Sequence, residues 1–279
     1  MLLALAVVAP LAPAEGTYTQ IDVPGATATF VTGIASNGNL VGYYEYAGGT
    51  HGFFFHGGIY TTIDYPGAYY TLLYGVNALG QIVGQTYPAD IGFLFDSATQ
   101  KFTTISYPQA TQTFPKAINN AGVIVGYGIG DRLPFGFEMI GSTYILIRSP
   151  LGKPNYVYGI SGSGKLAGQA LTTGQVVSNF LFKDGKYTSL TIPNAPGAAV
   201  CGINPLGTAV VGQYEPRPGV TFGFLYQNQM LQTLRVGESD ATYAYGVDNA
   251  GEVAGTFRGT PDGVWHGFLW TPPADMAKK

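Results

Sequence analysis

The residues able to do chemistry are few and scattered over six copies of one repeated pattern. The three histidines are His51, His56 and His266. His51 and His266 hold the same place in the first and last copies, with no acidic residue in register beside them, so a metal site is not indicated. A structural role is expected for each, bonding backbone within its strand. Asp22 and Asp64 precede Pro-Gly connectors, and Ser106 replaces them in the third copy. Turn capping tolerates that exchange and calcium binding does not. Cys201 is the only cysteine, so no internal disulfide can form, and a packed, inert thiol is expected. Glu138 stands where the other copies have Phe54, Leu94, Leu181, Leu225 and Leu269. Lys116 is the only charge in a column otherwise made of Thr32, Tyr74, Tyr158, Cys201 and Tyr245. Both charges fall in one repeat, which predicts an ion pair or an exposed edge. There is no Gly-x-Ser-x-Gly elbow and no Ser/His/Asp grouping, and Gly162-x-Gly164-Lys165 is a turn rather than a phosphate loop. No catalytic residue, metal or cofactor is assigned. Paired carboxylates meeting at a central axis stay open as an alternative.

The repeat itself predicts the elements. A small residue followed by Ile or Val recurs at Gly33, Gly75, Ala117, Gly159, Gly202 and Gly246, at spacings of 42 to 44 residues. An aromatic landmark keeps step at Phe53, Phe93, Phe137, Phe180, Phe224 and Phe268. Within one copy the apolar runs are short, rich in β-branched and aromatic residues, and bounded by Gly, Pro, Asn or Asp, which marks strands. The second and third runs are joined by turns such as Asn77-Ala78-Leu79-Gly80, where Asn bonds its own backbone and Gly supplies positive φ. Only the step from a first to a second run is long and marked by proline, as at Pro24-Gly25 and Pro66-Gly67. Three hairpin links and one crossing make a four-stranded antiparallel unit of β-propeller type. The fold expected is all-β: a six-bladed β-propeller, closed by the N-terminal strand pairing in the last blade.

Charged residues make up only 10% of the chain, with a formal net charge of −3, so no basic stripe exists for nucleic acid. Residues 1–14 read as a signal peptide: apolar, too short to span a bilayer, and ending in Ala12-Pro13-Ala14. Residues 15–272 are expected to form the single propeller and 273–279 a tail. A secreted, periplasmic or extracellular monomer without a membrane span is the expected setting.

The pattern Tyr-Thr-x-Ile-Asp-x-Pro-Gly-Ala at Tyr60–Ala68, the run Val76–Gly84, and the triplets His51-Gly52-Phe53 and His266-Gly267-Phe268 resemble the HAF family of extracellular repeats. The likeness covers residues 17 to 270. Ile91, Phe135, Ser178 and Phe222 depart from the family His, and the fourth and sixth copies lose the Pro-Gly-Ala connector. The resemblance implies export and a propeller-like fold, and it transfers no catalytic motif.

Alternating strand directions put the third-to-fourth loops and the Pro-containing connectors on one face of the disc and the Asn-x-x-Gly turns on the other. The first face is rich in Tyr, whose rings and hydroxyls suit saccharides and protein partners alike. The candidate ligand-binding residues are Tyr43, Tyr44, Tyr46, Tyr69, Tyr70, Tyr87, Tyr127, Arg132, Tyr214, Arg217 and Tyr243. The function expected is a secreted binding or interaction module for a glycan or protein. A carbohydrate-active hydrolase or lyase with acids at the central channel, and a structural envelope or matrix component, are the alternatives.

Overall fold

A computed structural model describes residues 16–130, 133–149, 154–171 and 177–274. The signal-peptide reading of residues 1–14, Arg132 and the end of the tail lie outside the described residues. Among the described residues strands alone make up the regular structure, from β1 (Thr17–Ile21) to β24 (Trp265–Thr271).

The innermost strands are β2 (Ala28–Ile34), β6 (Tyr70–Val76), β10 (Gln112–Ile118), β14 (Asn155–Ile160), β18 (Ala199–Ile203) and β22 (Thr242–Val247). They follow one another around a central channel, and β22 returns to β2. The small-residue landmark exists because these strands approach closely. A Cβ added at Gly202 would lie 2.4 Å from the carbonyl oxygen of Tyr245, and one at Gly75 would lie 2.8 Å from that of Lys116. The aromatic landmark fills the spaces between neighbouring sheets. Phe53, Phe93, Phe137, Phe224 and Phe268 are fully buried and Phe180 nearly so, each within its own apolar cluster.

The propeller is confirmed, but its blade count differs from the six expected. Four blades stand as separate four-stranded sheets, not six: β10 with β11 (Ile124–Ile129), β12 (Pro134–Ile140) and β13 (Thr143–Ile147); β14 with β15 (Leu166–Leu171), β16 (Val177–Lys183) and β17 (Lys186–Leu190); β18 with β19 (Ala209–Arg217), β20 (Val220–Gln227) and β21 (Met230–Leu234); and β1 with β24, β23 (Val253–Arg258) and β22. The other eight strands form one sheet, in which β2, β3 (Leu40–Tyr46), β4 (Gly49–His56), β6, β7 (Gln81–Tyr87), β8 (Gly92–Asp96) and β9 (Lys101–Ile105) follow in order and β5 (Ile59–Ile63) pairs with β4. The weld is a parallel pair between Thr50 of β4 (Gly49–His56) and Tyr70 of β6. Its cause is local. The tight turn Ala47-Gly48, with both residues at positive φ, starts β4 early enough to reach the neighbouring inner strand. Thr221 and Ala241 make the same kind of bridge elsewhere, but Ala241 lies just outside its strand and the sheets stay apart. A strand-length pattern carries no sign of such a bridge.

β1 pairs antiparallel with β24, from Thr17 opposite Thr271 to Ile21 opposite Gly267. This closes the ring where the phase of the repeats puts the seam. The Asn-x-x-Gly turns take the expected form. Asn77 Oδ1 accepts from the N–H groups of Leu79 and Gln81 at 3.0 Å, and Gly80 has φ of +75°. Successive turns are also bonded to one another: Asn77 Nδ2 donates to Asn119 O, Asn119 Nδ2 to Ser161 O, and Gly162 N to Pro205 O. On the opposite face, connectors bond third-to-fourth loops, as Thr27 N does to Glu45 O.

Candidate functional sites

The sequence-derived tyrosines separate into three groups. Tyr44 and Tyr214 are core residues, each 8% exposed. Their hydroxyls bond Thr62 Oγ1 at 2.8 Å and Thr233 Oγ1 at 2.9 Å. They fill gaps between sheets and are removed from the ligand-facing set. Tyr43, Tyr127 and Tyr243 turn toward the middle of the ring. Tyr43 stacks on Phe30 at 4.7 Å, Tyr127 on Phe114 at 4.7 Å, and Tyr243 lies 5.8 Å from Trp265. The third group remains available to a ligand. Tyr46, Tyr69 and Tyr87 are 52%, 65% and 52% exposed. Tyr69 meets Tyr70 edge-on at 4.6 Å, and Tyr70 stacks on Tyr87 at 5.8 Å. Tyr46 lies apart from this cluster: its backbone pairs with Gly49, next to the Thr50–Tyr70 bridge, and its ring leans on the connector at Gly25. Asp90 sits beside the cluster, accepting from Gln85 Nε2 at 2.8 Å and from Gln112 Nε2. Arg217 is exposed opposite Val220 near the tip of another hairpin.

A second site lies in the channel, and the sequence reading missed it. Each inner strand carries a bulge, where the register slips by one residue: between Val31 and Gly33, Leu73 and Gly75, Pro115 and Ala117, Val157 and Gly159, Val200 and Gly202, and Ala244 and Gly246. A bulge re-aims one side chain. Here the re-aimed residues are Thr32, Tyr74, Lys116, Tyr158, Cys201 and Tyr245, and all six line a cavity of about 240 Å³. Tyr43 lines it too, and Ser36, Asn120, Gly162 and Pro205 bring it out to the Asn-x-x-Gly turns. The signal was present in the sequence: one column of mixed polar residues next to an invariably small one.

Burial governs the electrostatics of this cavity. It brings Lys116 down to about 7 and pushes Cys201 up to about 12. Tyr43 rises to about 12, through burial and then the nearby Glu45, and Tyr74, Tyr158 and Tyr245 rise further. Cys201 donates to Gln213 Oε1 at 3.0 Å. Its thiol is therefore not primed as a nucleophile. Lys116 Nζ lies 3.3 Å from the centroid of the Tyr74 ring, a cation–π arrangement. The ion pair expected between Lys116 and Glu138 does not form. Lys116 enters the channel, whereas Glu138 is on β12 (Pro134–Ile140), half-buried, with desolvation raising its carboxyl.

The histidines also differ from expectation. His51 Nδ1 lies 2.8 Å from Asp64 Oδ2, and His266 Nδ1 lies 2.8 Å from Asp22 Oδ2. They bond carboxylates rather than backbone, and Asp22 and Asp64 serve them rather than capping turns. The connector turn closes through its own backbone, Ala26 N to Val23 O. His56 Nδ1 bonds Asn39 Oδ1 at 2.7 Å. The pairing was readable by comparing copies. Where the His is replaced by Phe222, the Asp becomes Arg235, whose guanidinium sits 5.4 Å from that ring. Among the described residues no group of three or more His, Cys, Asp or Glu is placed to hold a metal ion, and no helix is long and apolar enough to cross a membrane.

The fold defines a class of protein, the β-propellers. Solved structures similar to this chain include a gluconolactonase from Xanthomonas campestris, with TM-score 0.60, 13% identity, 96% of this chain and 98% of that one. A streptogramin B lyase has TM-score 0.57 and 15% identity over 91% of this chain and 97% of that one. The SapL1 lectin, in complex with alpha methyl fucoside, has TM-score 0.56 and 10% identity over 89% and 98%. At such identities the likeness is one of fold. No family model and no curated protein matches the chain, so the HAF resemblance rests on the repeat residues alone.

Proposed function

We propose that this chain is a binding module, exported to the periplasm or the cell exterior, that takes neutral saccharides on its Tyr-rich loop face. The observation that carries this reading is the mutually packed cluster Tyr69–Tyr70–Tyr87, with Tyr69 and Tyr87 exposed. Large rings left in water over a rigid sheet edge offer flat apolar surface to the C–H faces of a sugar, while their hydroxyls and the Asp90 carboxylate offer bonds to its hydroxyls. That the SapL1 lectin, a similar propeller, binds a methyl fucoside adds support at the level of fold. The hydrolase alternative required acids facing each other across the channel, and among the described residues no carboxylate lines the cavity.

A glycan array probed with the full chain, beside a peptide array, tests the reading. Saccharide binding is expected. Tyr69→Ala and Tyr87→Ala are each expected to weaken it by about 1 kcal/mol, close to fivefold. Substitutions of Leu79 and Ala121, exposed in turns on the opposite face, are expected to leave affinity unchanged. Equal loss from both sets, or binding of peptides alone, would overturn it. Tyr44→Ala is unsuitable for this test, because its ring is part of the core.

A further inference from the structure

We propose that the central channel is a second binding site, opening on the face opposite the tyrosine patch, that takes a small organic carboxylate with Lys116 as its counter-charge.

Among the described residues Lys116 is the only cation lining the cavity, and no Asp or Glu lines it. Buried charges are ordinarily paired and hydrogen-bonded, because an unpaired one is costly. Lys116 has no ion pair and no hydrogen bond among the described residues. Its partners are ring faces: Tyr74 at 3.3 Å, Tyr127 at 5.6 Å and Phe114 at 5.8 Å. A ring face accepts no strong hydrogen bond, so the ammonium donors stay unused by the protein. The bulge in β10 nevertheless aims this residue into the cavity rather than at the surface.

The rest of the lining matches an anion with an apolar body. Tyr43, Tyr74, Tyr158 and Tyr245 surround the space with rings and hydroxyls. These phenols, Tyr127 and the Cys201 thiol all have their ionisation pushed up, so no acid facing Lys116 is ionised at neutral pH. A cavity of roughly 150 Å³ is enough to hold benzene. At about 240 Å³ this one has room for a substituted aromatic or short aliphatic acid. Turn-to-turn hydrogen bonds hold the mouth in shape before any ligand arrives.

Electrostatics then couples binding to protonation. Without ligand, Lys116 loses its proton near pH 7. A carboxylate beside the amine favours the charged form, so binding draws a proton from solution, and affinity falls as pH rises above that point.

Titration calorimetry of the full chain with benzoate tests this, with benzamide and benzylammonium as the neutral and cationic analogues. Saturable benzoate binding is expected, with benzamide and benzylammonium weaker by about tenfold or more. At about pH 8, parallel titrations in buffers of different ionisation heat are expected to show net proton uptake. Lys116→Met is expected to lose tenfold or more in benzoate affinity, and Lys116→Arg to retain binding. Tyr69→Ala should leave benzoate binding unchanged, so that the two sites fail or succeed separately. Benzamide binding as tightly as benzoate, Lys116→Met binding like the parent, or no saturation at millimolar benzoate would each overturn the proposal. If Lys116→Met does not fold, the benzoate–benzamide contrast and the proton uptake of the parent decide it.

Discussion

Lys116 is a side chain whose place in the channel is set by one slipped register, and its burial makes folding depend on pH. The sign follows from its position near 7 in the folded chain against an ordinary 10.5. The folded state disfavours the ammonium. The stability linked to this residue is therefore fully present above about pH 10.5 and is lost as pH falls through about 7. Lys116→Met removes the dependence. Chemical denaturation of both proteins between these limits should show the parent losing stability toward neutral pH relative to the variant. The difference should be on the order of 2 kcal/mol, after allowance for solvent in the cavity. Parallel curves would show that the amine stays hydrated. At this scale the sequence was partly legible. The outlier status of Lys116 and Glu138 was visible, but their separation was not, because a bulge decides which side of a strand a residue faces. The His–Asp pairs were legible only by reading two columns together, His51 with Asp64 and Phe222 with Arg235.

Elements were the most legible level, since each depends on local chemistry. Asn or Asp at the head of a turn and Gly at its foot fix the hairpins, and the close approach of inner strands explains why Gly75 and Gly202 have no side chain. The weld between β4 and β6 was not legible, because one bridge pair at a strand's first residue leaves no periodic mark. β1 is the element with the largest predicted consequence. It covers the edge of β24, and Tyr18 packs edge-on to the buried Phe268 at 5.6 Å and against the β22–β24 cluster. The Tyr18 hydroxyl also accepts from Arg235 N at 2.9 Å, which ties the seam to the preceding sheet. Deleting residues 15–24 should cost several kcal/mol or cause aggregation, because the edge of β24 is uncovered. A truncated protein melting within a degree or two of the parent would contradict this.

The whole molecule is a ring in which the first and last strands share one sheet, with Thr17 opposite Thr271. The remaining sheets are each made from one unbroken stretch of chain, so the links between them are connectors, side-chain contacts and isolated backbone bonds such as Gly162 N to Pro205 O, with no ladder. The ring therefore behaves as a belt with a single buckle. It cannot open between β1 and β24 without unzipping a backbone ladder. A circular permutant makes this measurable. Joining residue 274 to residue 16 through a short flexible linker and recutting the chain in the connector 191–198 keeps every strand. It moves the opening to a gap between two complete sheets, where no ladder crosses. The permutant should fold to the same spectrum yet unfold faster than the parent, by about tenfold for each 1.4 kcal/mol of barrier that the buckle supplies. Equal unfolding rates would place the barrier in the apolar clusters between sheets instead of in the clasp.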